Sequence, residues 1–359
     1  MGRGRSPSSA RPGMAYTAPM LPDSSRLDAL RRNALAGLLN RGFARSARVM
    51  RRLPAAQPGR HGVELEADVP WRAPLAGSPD AHLLDVYRPV DATGPLPVVL
   101  YLHGGGFRGL DKSTHWVMGL AFAHAGYLVL NVNYRLAPKH RFPAAAEDAC
   151  EAWVWAVQNA ARYGGDPARI VVAGESAGAN LAAVVGVASA WRREEAFARA
   201  VFDTGVSPVA VAPACGILQV SDPKRFIRSK SVGRITSAVI EGCFYGYVDD
   251  VYHDDRDYGL ADPLLVVERA GAPDRPLAPT FLAVGTADPL IDDTRRYAKA
   301  VERHGGAVEA RYYPGMEHAF HAWLLRPQSR RCWEDQLAFL QPYTGGGANI
   351  IRVRQPRAA

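Results

Sequence analysis

Short apolar runs alternate with helix-like segments along most of the chain from Val63 onward. The runs predict strands at 83–87, 97–102, 127–132, 169–173, 206–212 and 280–285, and a polar/apolar alternation adds a strand at 308–313. Helical spacing predicts helices at 114–125, 143–162, 176–191, 291–305 and 329–340. Continuous apolar strands separated by helices are typical of a mostly parallel sheet covered on both faces. The sequence therefore predicts an α/β fold whose functional residues lie at the carboxyl ends of the strands.

The alternation of strands and helices is absent at the beginning of the chain and is interrupted again before the strand at 280–285. Residues 1–23 are crowded with Gly, Pro, Ser and Arg, which predicts a disordered basic leader. Ser24 or Ser25 then caps a predicted helix, and a second helical segment covers about 43–52. The apolar stripe of the first helix consists of Leu27, Leu30, Ala34, Leu35, Leu38 and Leu39. Residues 220–262 are polar and rich in aromatic side chains, a pattern expected of a lid inserted before the next strand.

Composition narrows the class of protein further. Hydrophobic residues make up 48% and charged residues 22% of the chain, which is ordinary for a globular enzyme. No stretch reaches the ~18 consecutive apolar residues of a membrane helix. The N-terminus has no apolar segment typical of a signal peptide, so we expect a cytoplasmic protein. The four cysteines lie far apart without zinc-ligand spacing, which predicts reduced thiols and no metal site.

The positive charge is concentrated at one end of the chain. The net charge is +8, but residues 1–60 carry twelve arginines and only two acids, so the remainder is slightly negative. The arginines are scattered among Ala, Leu, Pro and Ser with no interleaved aromatic side chains. This pattern favours a solvated leader over a segment that binds nucleic acid or a membrane surface, and no nucleic-acid partner is expected.

The strongest chemical motif is Gly-Glu-Ser-Ala-Gly at 174–178. It directly follows the strand at 169–173 and begins a helix. This strand–turn–helix context is the one in which Gly-x-Ser-x-Gly carries a nucleophilic serine. Ser176 then sits on a sharp turn, where small neighbours allow close backbone packing. The N-terminus of the helix favours negative charge that develops beside the serine. The motif predicts that Ser176 is a nucleophile.

A second motif, His-Gly-Gly-Gly at 103–106, follows the strand at 97–102. Consecutive glycines after a strand leave backbone N–H groups unobstructed, which suits an oxyanion hole. We expect the donors to be the amides of Gly104, Gly105 and Gly106, with the amide of Ala177 as their complement. His103 is expected to shape the loop rather than to act as a base.

A serine nucleophile also needs a base and an acid that orients it, in the chain order Ser, Asp or Glu, His. His318 lies in a glycine-containing loop after the last strand and is the favoured base, with His321 as the alternative. Asp288 follows the strand at 280–285 and is the favoured acid. Asp292 and Asp293 fall at the start of the next helix, where acids are common for capping and dipole reasons.

Several motifs together resemble the hormone-sensitive-lipase-like esterases, the bacterial family IV carboxylesterases. They are HGGGF at 103–107, NYRLAPKHRFPAAAEDA at 133–149, GESAG at 174–178, DPL at 288–290 and GMEHAF at 315–320. The resemblance implies an eight-stranded α/β-hydrolase sheet with a cap built from the N-terminal helices and the late insertion. It also implies a triad of Ser176, Asp288 and His318, with Gly105, Gly106 and Ala177 as oxyanion donors. The family usually has Asp where Glu175 stands.

On this basis the chain divides into four parts. They are a leader at 1–23, N-terminal cap helices at 24–60, an α/β-hydrolase catalytic domain at 61–345 that contains the cap insertion, and a tail at 346–359. The resemblance implies a serine carboxylesterase for short- to medium-chain acyl esters that needs no cofactor or metal.

Two alternative functions stay open from the sequence. The same machinery could act on an amide, formamide, carbamate or lactone instead of an ester. A non-catalytic binding protein is a further alternative, since plant gibberellin receptors resemble the family but lack the catalytic histidine. The expected partner is a small-molecule ester, and a homodimer is left open.

Overall fold

An eight-stranded sheet in the order β1-β2-β4-β3-β5-β6-β7-β8 forms the centre of the protein. The computed structural model describes residues 37–38, 40–228, 232–248 and 257–345. The pairs β1–β2 and β2–β4 are antiparallel, and every other neighbouring pair in the sheet is parallel. The prediction of a mostly parallel α/β sheet is therefore confirmed.

The elements follow the predicted alternation closely. The strands are β1 Val63–Pro70, β2 Leu83–Pro89, β3 Leu96–Leu102, β4 Leu128–Val132, β5 Gly165–Glu175, β6 Ala210–Ala214, β7 Thr280–Gly285 and β8 Val308–Tyr313. The helices are α1 at 40–51, α2 Trp116–His124, α3 Ala144–Asn159, α4 Ala177–Ala190, α5 Ala196–Asp203, α6 Arg225–Arg228, α7 Arg234–Tyr247, α8 Pro263–Arg269, α9 Ile291–Arg303 and α10 Pro327–Thr344.

Strand β6 starts later than the sequence predicts. The prediction was 206–212, whereas β6 begins at Ala210. Pro208 has no N–H group to give to the ladder, so regular pairing starts only after it. The short helices α5 and α8 were not predicted, because segments of eight and seven residues carry little periodic signal.

Two apolar cores lie on opposite faces of the sheet, because successive strand residues point to opposite sides. In β3, Leu100 and Leu102 belong to the core that α3, α4, α5, α8 and α9 help to build. Val99 and Tyr101 belong to the other core, with residues of α2 and α10. Both faces are thus covered, as the continuous apolar strands predict. No helix among the described residues is both long and apolar enough to span a bilayer.

The N-terminal helix lies against the loops at the carboxyl edge through polar contacts. Arg48 pairs with Asp111 at 2.6 Å, and Arg51 lies 3.7 Å from the buried Asp85. Of the predicted leucine stripe, only Leu38 falls within the described residues, and it is 67% exposed. The other stripe positions, the leader at 1–23 and the tail at 346–359 lie outside the described residues.

Candidate active site

Ser176 occupies the tight turn between β5 and α4. Its φ of 53° and ψ of −114° are a backbone conformation that non-glycine residues seldom adopt, so the turn is strained. The Ser176 N–H donates to the carbonyl of Ala214 at the end of β6, at 2.9 Å. A side chain on Gly178 would collide with the Leu102 carbonyl of β3, and one on Gly174 with the backbone of Gly178. The small residues of the motif are therefore needed for this close packing.

The glycine loop after β3 presents its amides beside this turn. Gly105 and Gly106 have φ values of 119° and 62°, which glycine adopts without strain. Within the described residues, the N–H groups of Gly105, Gly106 and Ala177 donate no hydrogen bond. These three groups are free to meet an oxyanion.

Gly104 differs from its neighbours in the direction of its N–H group. Its N–H is directed at the His115 Nε2 atom, 3.2 Å away. The Gly104 amide therefore faces His115, whereas the amides of Gly105 and Gly106 have no such partner among the described residues.

Asp288 and His318 meet at the carboxyl edge of the sheet. Asp288 follows β7 and is 2% exposed, and its Oδ2 atom lies 2.8 Å from the Nδ1 atom of His318, which follows β8. The other Asp288 oxygen accepts the N–H of Leu290 at 2.8 Å, which fixes the carboxylate. Burial lowers the pKa of His318, but the charge of Asp288 outweighs burial and raises the pKa well above its usual value.

The alternative acids and the alternative base have other partners. Asp292 is exposed and pairs with Arg295 at 2.9 Å. Asp293 is buried and accepts the N–H groups of Leu218 and Gln219, and its carboxylate also pairs with Arg225 at 2.8 Å. The Nε2 atom of His321 lies 2.8 Å from the Glu175 Oε2 atom.

Ser176 and His318 both lie in the described part of the chain, and no hydrogen bond joins the Ser176 hydroxyl to the His318 ring. The thiol of Cys215, the residue after Ala214, lies beside that ring instead. Catalytic hydrogen bonds are often long before substrate binds and tighten in the substrate complex.

Glu175 joins the catalytic loops in a way that the sequence did not indicate. It directly precedes Ser176 and is 6% exposed, and its Oε1 atom lies 2.7 Å from His115 Nε2. His321 approaches the other carboxylate oxygen, as described above. Burial raises the pKa of Glu175, but the two histidines outweigh burial and hold it well below its usual range. The ionised Glu175 in turn raises the pKa of His115 above its usual value despite burial.

The insertion between β6 and β7 covers the glycine loop through helix α7. The rings of Phe107 and Tyr247 stack with centroids 3.7 Å apart, and an Arg108 nitrogen donates to the Gly242 carbonyl at 2.6 Å. A side chain on Gly106 would collide with the sulfur of Cys243. The predicted lid therefore touches the loop that carries the oxyanion amides. Its segments 229–231 and 249–256 lie outside the described residues.

The N-terminal helix reaches the same loop from another side. The Asn40 side-chain amide donates to the Gly105 carbonyl at 3.5 Å. A side chain on Gly109 would collide with Asn40. The N-terminal helix α1 and the late insertion, through α7, thus both contact residues 105–109.

Known proteins share this sequence and architecture. Residues 99–322 match the α/β hydrolase fold family. The chain is 34% identical over 281 residues to the carboxylic ester hydrolase LipN of Mycobacterium tuberculosis, covering 76% of this chain and 68% of that protein. It is 34% identical over 247 residues to the ethyl acetate hydrolase of Pseudomonas putida, covering 67% of this chain and 72% of that protein.

Among solved structures, the thermostable carboxylesterase EstE1 from a metagenomic library aligns with a TM-score of 0.65 and 26% identity. That alignment covers 86% of this chain and 97% of the EstE1 chain. The family match extends over more than half of the protein and includes the glycine loop, the serine turn, Asp288 and His318. The chain therefore belongs to the α/β-hydrolase fold family, in the hormone-sensitive-lipase-like group that its motifs resemble.

Proposed function

We propose that this protein is a serine carboxylesterase that acts through an acyl-enzyme intermediate. Ser176 is the nucleophile, His318 the general base and acid, and Asp288 the residue that orients His318. The observation that supports this assignment best is the hydrogen bond between Asp288 and His318 at the same sheet edge as the strained serine turn. The esterase names of the relatives support the reaction class.

The first half-reaction forms the acyl-enzyme. His318 takes the hydroxyl proton of Ser176 through Nε2 while Ser176 Oγ attacks the ester carbonyl carbon. Asp288 holds the proton on Nδ1, which leaves Nε2 as the acceptor and stabilises the imidazolium that forms. His318 then gives its proton to the leaving alcohol, and the carbon–oxygen bond of the ester breaks.

The second half-reaction releases the acid. His318 removes a proton from water, the resulting hydroxide attacks the acyl carbonyl, and Ser176 regains its proton. In both steps the tetrahedral oxyanion accepts hydrogen bonds from the amides of Gly105, Gly106 and Ala177. One such donor is typically worth ~10²–10³ in rate, so these three amides carry much of the catalysis.

We expect short- to medium-chain acyl esters as substrates. The packing of Tyr247 on Phe107 brings the insertion down onto the glycine loop and limits the space beside it. The relative from Pseudomonas putida is named for ethyl acetate, a short ester. The same residues also suit an amide, carbamate or lactone, so the leaving group has to be tested directly. A cytoplasmic location and a homodimer stay predictions from the sequence.

A labelling experiment combined with an ester panel tests this function. A fluorophosphonate should label the wild-type protein at Ser176, and Ser176→Ala should lose both labelling and ester hydrolysis while it keeps its unfolding temperature. On p-nitrophenyl esters from acetate to palmitate, activity should peak between roughly two and eight carbons, as the group resemblance implies. Undiminished turnover by Ser176→Ala would disprove the nucleophile, and a peak at palmitate would disprove the chain-length preference.

A further inference from the structure

Cys215 is a buried thiol at the catalytic edge that ester hydrolysis does not use. It follows β6 with a φ of 41°, and its N–H donates to the Ala283 carbonyl of β7 at 2.7 Å. The residue is 1% exposed. The backbone bond and the unusual φ hold the side chain in one place, next to the His318 ring.

Three different ligand atoms converge at this point. The Cys215 sulfur, a carboxylate oxygen of Asp288 and a ring nitrogen of His318 all lie within 4.8 Å of one another. Among the described residues, no other group of three such side chains comes together in this way.

The donor set and its spacing match a particular metal. Zn²⁺ prefers thiolate, imidazole and carboxylate ligands at ~2.0–2.3 Å, which places tetrahedral ligand atoms about 3.3–3.8 Å apart. The three atoms need to move by only about 1 Å to reach that spacing. Three protein ligands also leave the fourth position of a tetrahedral ion open to water or another small ligand.

The three side chains differ in exposure, and the most exposed one provides an entry path for an ion. Cys215 and Asp288 are 1% and 2% exposed, whereas the side chain of His318 is 37% exposed. An ion can therefore reach the cluster along the histidine and then exchange most of its bound water for the buried sulfur and carboxylate. An exposed surface cluster would lack this exclusion of water.

We propose that Cys215, Asp288 and His318 form an inhibitory Zn²⁺ site inside the catalytic centre. The ion bonds to the sulfur, and the thiol proton leaves to solvent. It also bonds to Nδ1 of His318, whose proton moves to Nε2, and to the Asp288 carboxylate, so it replaces the Asp288–His318 hydrogen bond. His318 can then no longer take a proton from Ser176, and hydrolysis stops until the metal is removed.

The site itself does not depend on the proposed esterase activity, but its inhibitory effect does. Binding is therefore measured separately from activity, with Co²⁺ as a spectroscopic substitute for Zn²⁺ in Ser176→Ala protein. A cobalt–thiolate bond produces a charge-transfer absorption band in the near ultraviolet. We expect this band in Ser176→Ala and its loss in Ser176→Ala combined with Cys215→Ala.

Inhibition is measured as the Zn²⁺ concentration that halves each variant's own metal-free rate. Wild type should be inhibited and should recover fully with EDTA. In Cys215→Ala, the loss of the sulfur ligand should raise the half-inhibiting concentration at least about tenfold. Even residues that only hydrogen-bond to a metal ligand change metal affinity by about 10–100-fold when they are mutated. Cys215→Ser, which keeps the size of the side chain, is the substitute variant should the alanine protein fail to fold.

Cys243→Ala is the matched control, because Cys243 lies at the glycine loop and belongs to no group of three possible metal ligands among the described residues. Its sensitivity to Zn²⁺ should equal that of wild type. Equal sensitivity in Cys215→Ala and wild type, or the absence of a cobalt–thiolate band, would overturn the proposal. A band without any inhibition by Zn²⁺ in an active enzyme would overturn its inhibitory role. If no ester is hydrolysed at all, the cobalt band still decides whether the metal site exists.

Discussion

In the proposed mechanism, the charge state of His318 determines when Ser176 can react, because only a neutral imidazole accepts the serine proton. Asp288 raises the pKa of His318 despite its burial, so His318 stays protonated to a higher pH than an ordinary histidine. We therefore expect kcat/KM to fall as the pH drops through a value above ~6.5, the usual histidine pKa. The pH profile of kcat/KM on p-nitrophenyl acetate measures this acid limb.

Asp288→Asn should lower the rate by up to about 10⁴-fold, as the loss of an orienting acid does in serine hydrolases. It should also move the acid limb to lower pH, because the charge that raises the pKa of His318 is gone. Asp292→Asn is the matched control, since Asp292 is exposed and pairs only with Arg295 among the described residues. A larger loss of activity in the control than in Asp288→Asn would show that the wrong acid has been assigned.

Glu175 is expected to matter for both stability and catalysis, although it does not touch substrate in the proposed mechanism. Its buried carboxylate lies between His115 and His321 and adjoins the nucleophile in the chain. Glu175→Gln keeps the size but removes the charge, and breaking a buried ion pair costs about 3–5 kcal/mol. Chemical unfolding measures the resulting decrease in the free energy of unfolding, and we expect kcat to decrease as well.

Glu309→Gln serves as the control, because the exposed pair of Glu309 with Arg311 should contribute less than about 1 kcal/mol. Glu175→Asp, which keeps the charge on a shorter side chain, should lie between Glu175→Gln and wild type. If Glu175→Gln has the stability and kcat of the wild type, the charge of Glu175 is not needed to position the loops that carry His115 and His321.

At the scale of elements, the close approach of α7 to the glycine loop gives a steric prediction. A methyl group on Gly106 would collide with the Cys243 sulfur, and the φ of 62° also disfavours alanine. Gly106→Ala should therefore displace an oxyanion donor and lower kcat by about 10²-fold or more. Steady-state kinetics on p-nitrophenyl butyrate provides the measurement.

Adding Cys243→Ala to Gly106→Ala should restore part of the activity, because it removes the collision but not the backbone strain. Gly233→Ala at the start of α7 is the control, since an added methyl group there meets nothing within 4 Å. No recovery in the double variant would show that strain alone, rather than contact with α7, explains the defect.

The sequence predicts those parts of the fold and site that are encoded by local patterns. Alternating apolar strands and helices predict the sheet, and Ser176, Asp288 and His318 each lie three to five positions past the last residue of a predicted strand. The contacts of Glu175 escape such reasoning because His115 lies 60 positions away and resembles any other polar loop residue. Cys215 escapes it for a similar reason, since only the packing of β6 beside β7 brings a thiol to His318.

At the scale of the whole molecule, the active site depends on segments that come from far apart in the chain. The sheet brings together the ends of β3, β5, β7 and β8, while α7 and α1 contact the glycine loop from outside the sheet. Among the described residues, α1 contacts the glycine loop through Asn40. Arg48 pairs with Asp111 and Arg51 approaches the buried Asp85 beside that loop. A partly exposed ion pair such as Arg48–Asp111 is worth only about 0–1 kcal/mol, so the contact of Asn40 is the link of α1 to the oxyanion loop of the proposed mechanism.

The contact of α1 with the glycine loop leads to a prediction for two truncated proteins. Removing residues 1–20 should leave activity and melting temperature unchanged, because that segment lacks apolar periodicity and is crowded with Gly, Pro, Ser and Arg. Removing residues 1–55 also deletes α1 and the contact of Asn40 with Gly105, so the oxyanion amides lose part of their support. A displacement of about 1 Å at a catalytic group can cost 10²-fold, and we expect kcat to fall by about tenfold to that limit. Unchanged kcat and chain-length preference in a soluble 1–55 deletion would show that α1 is no part of the cap.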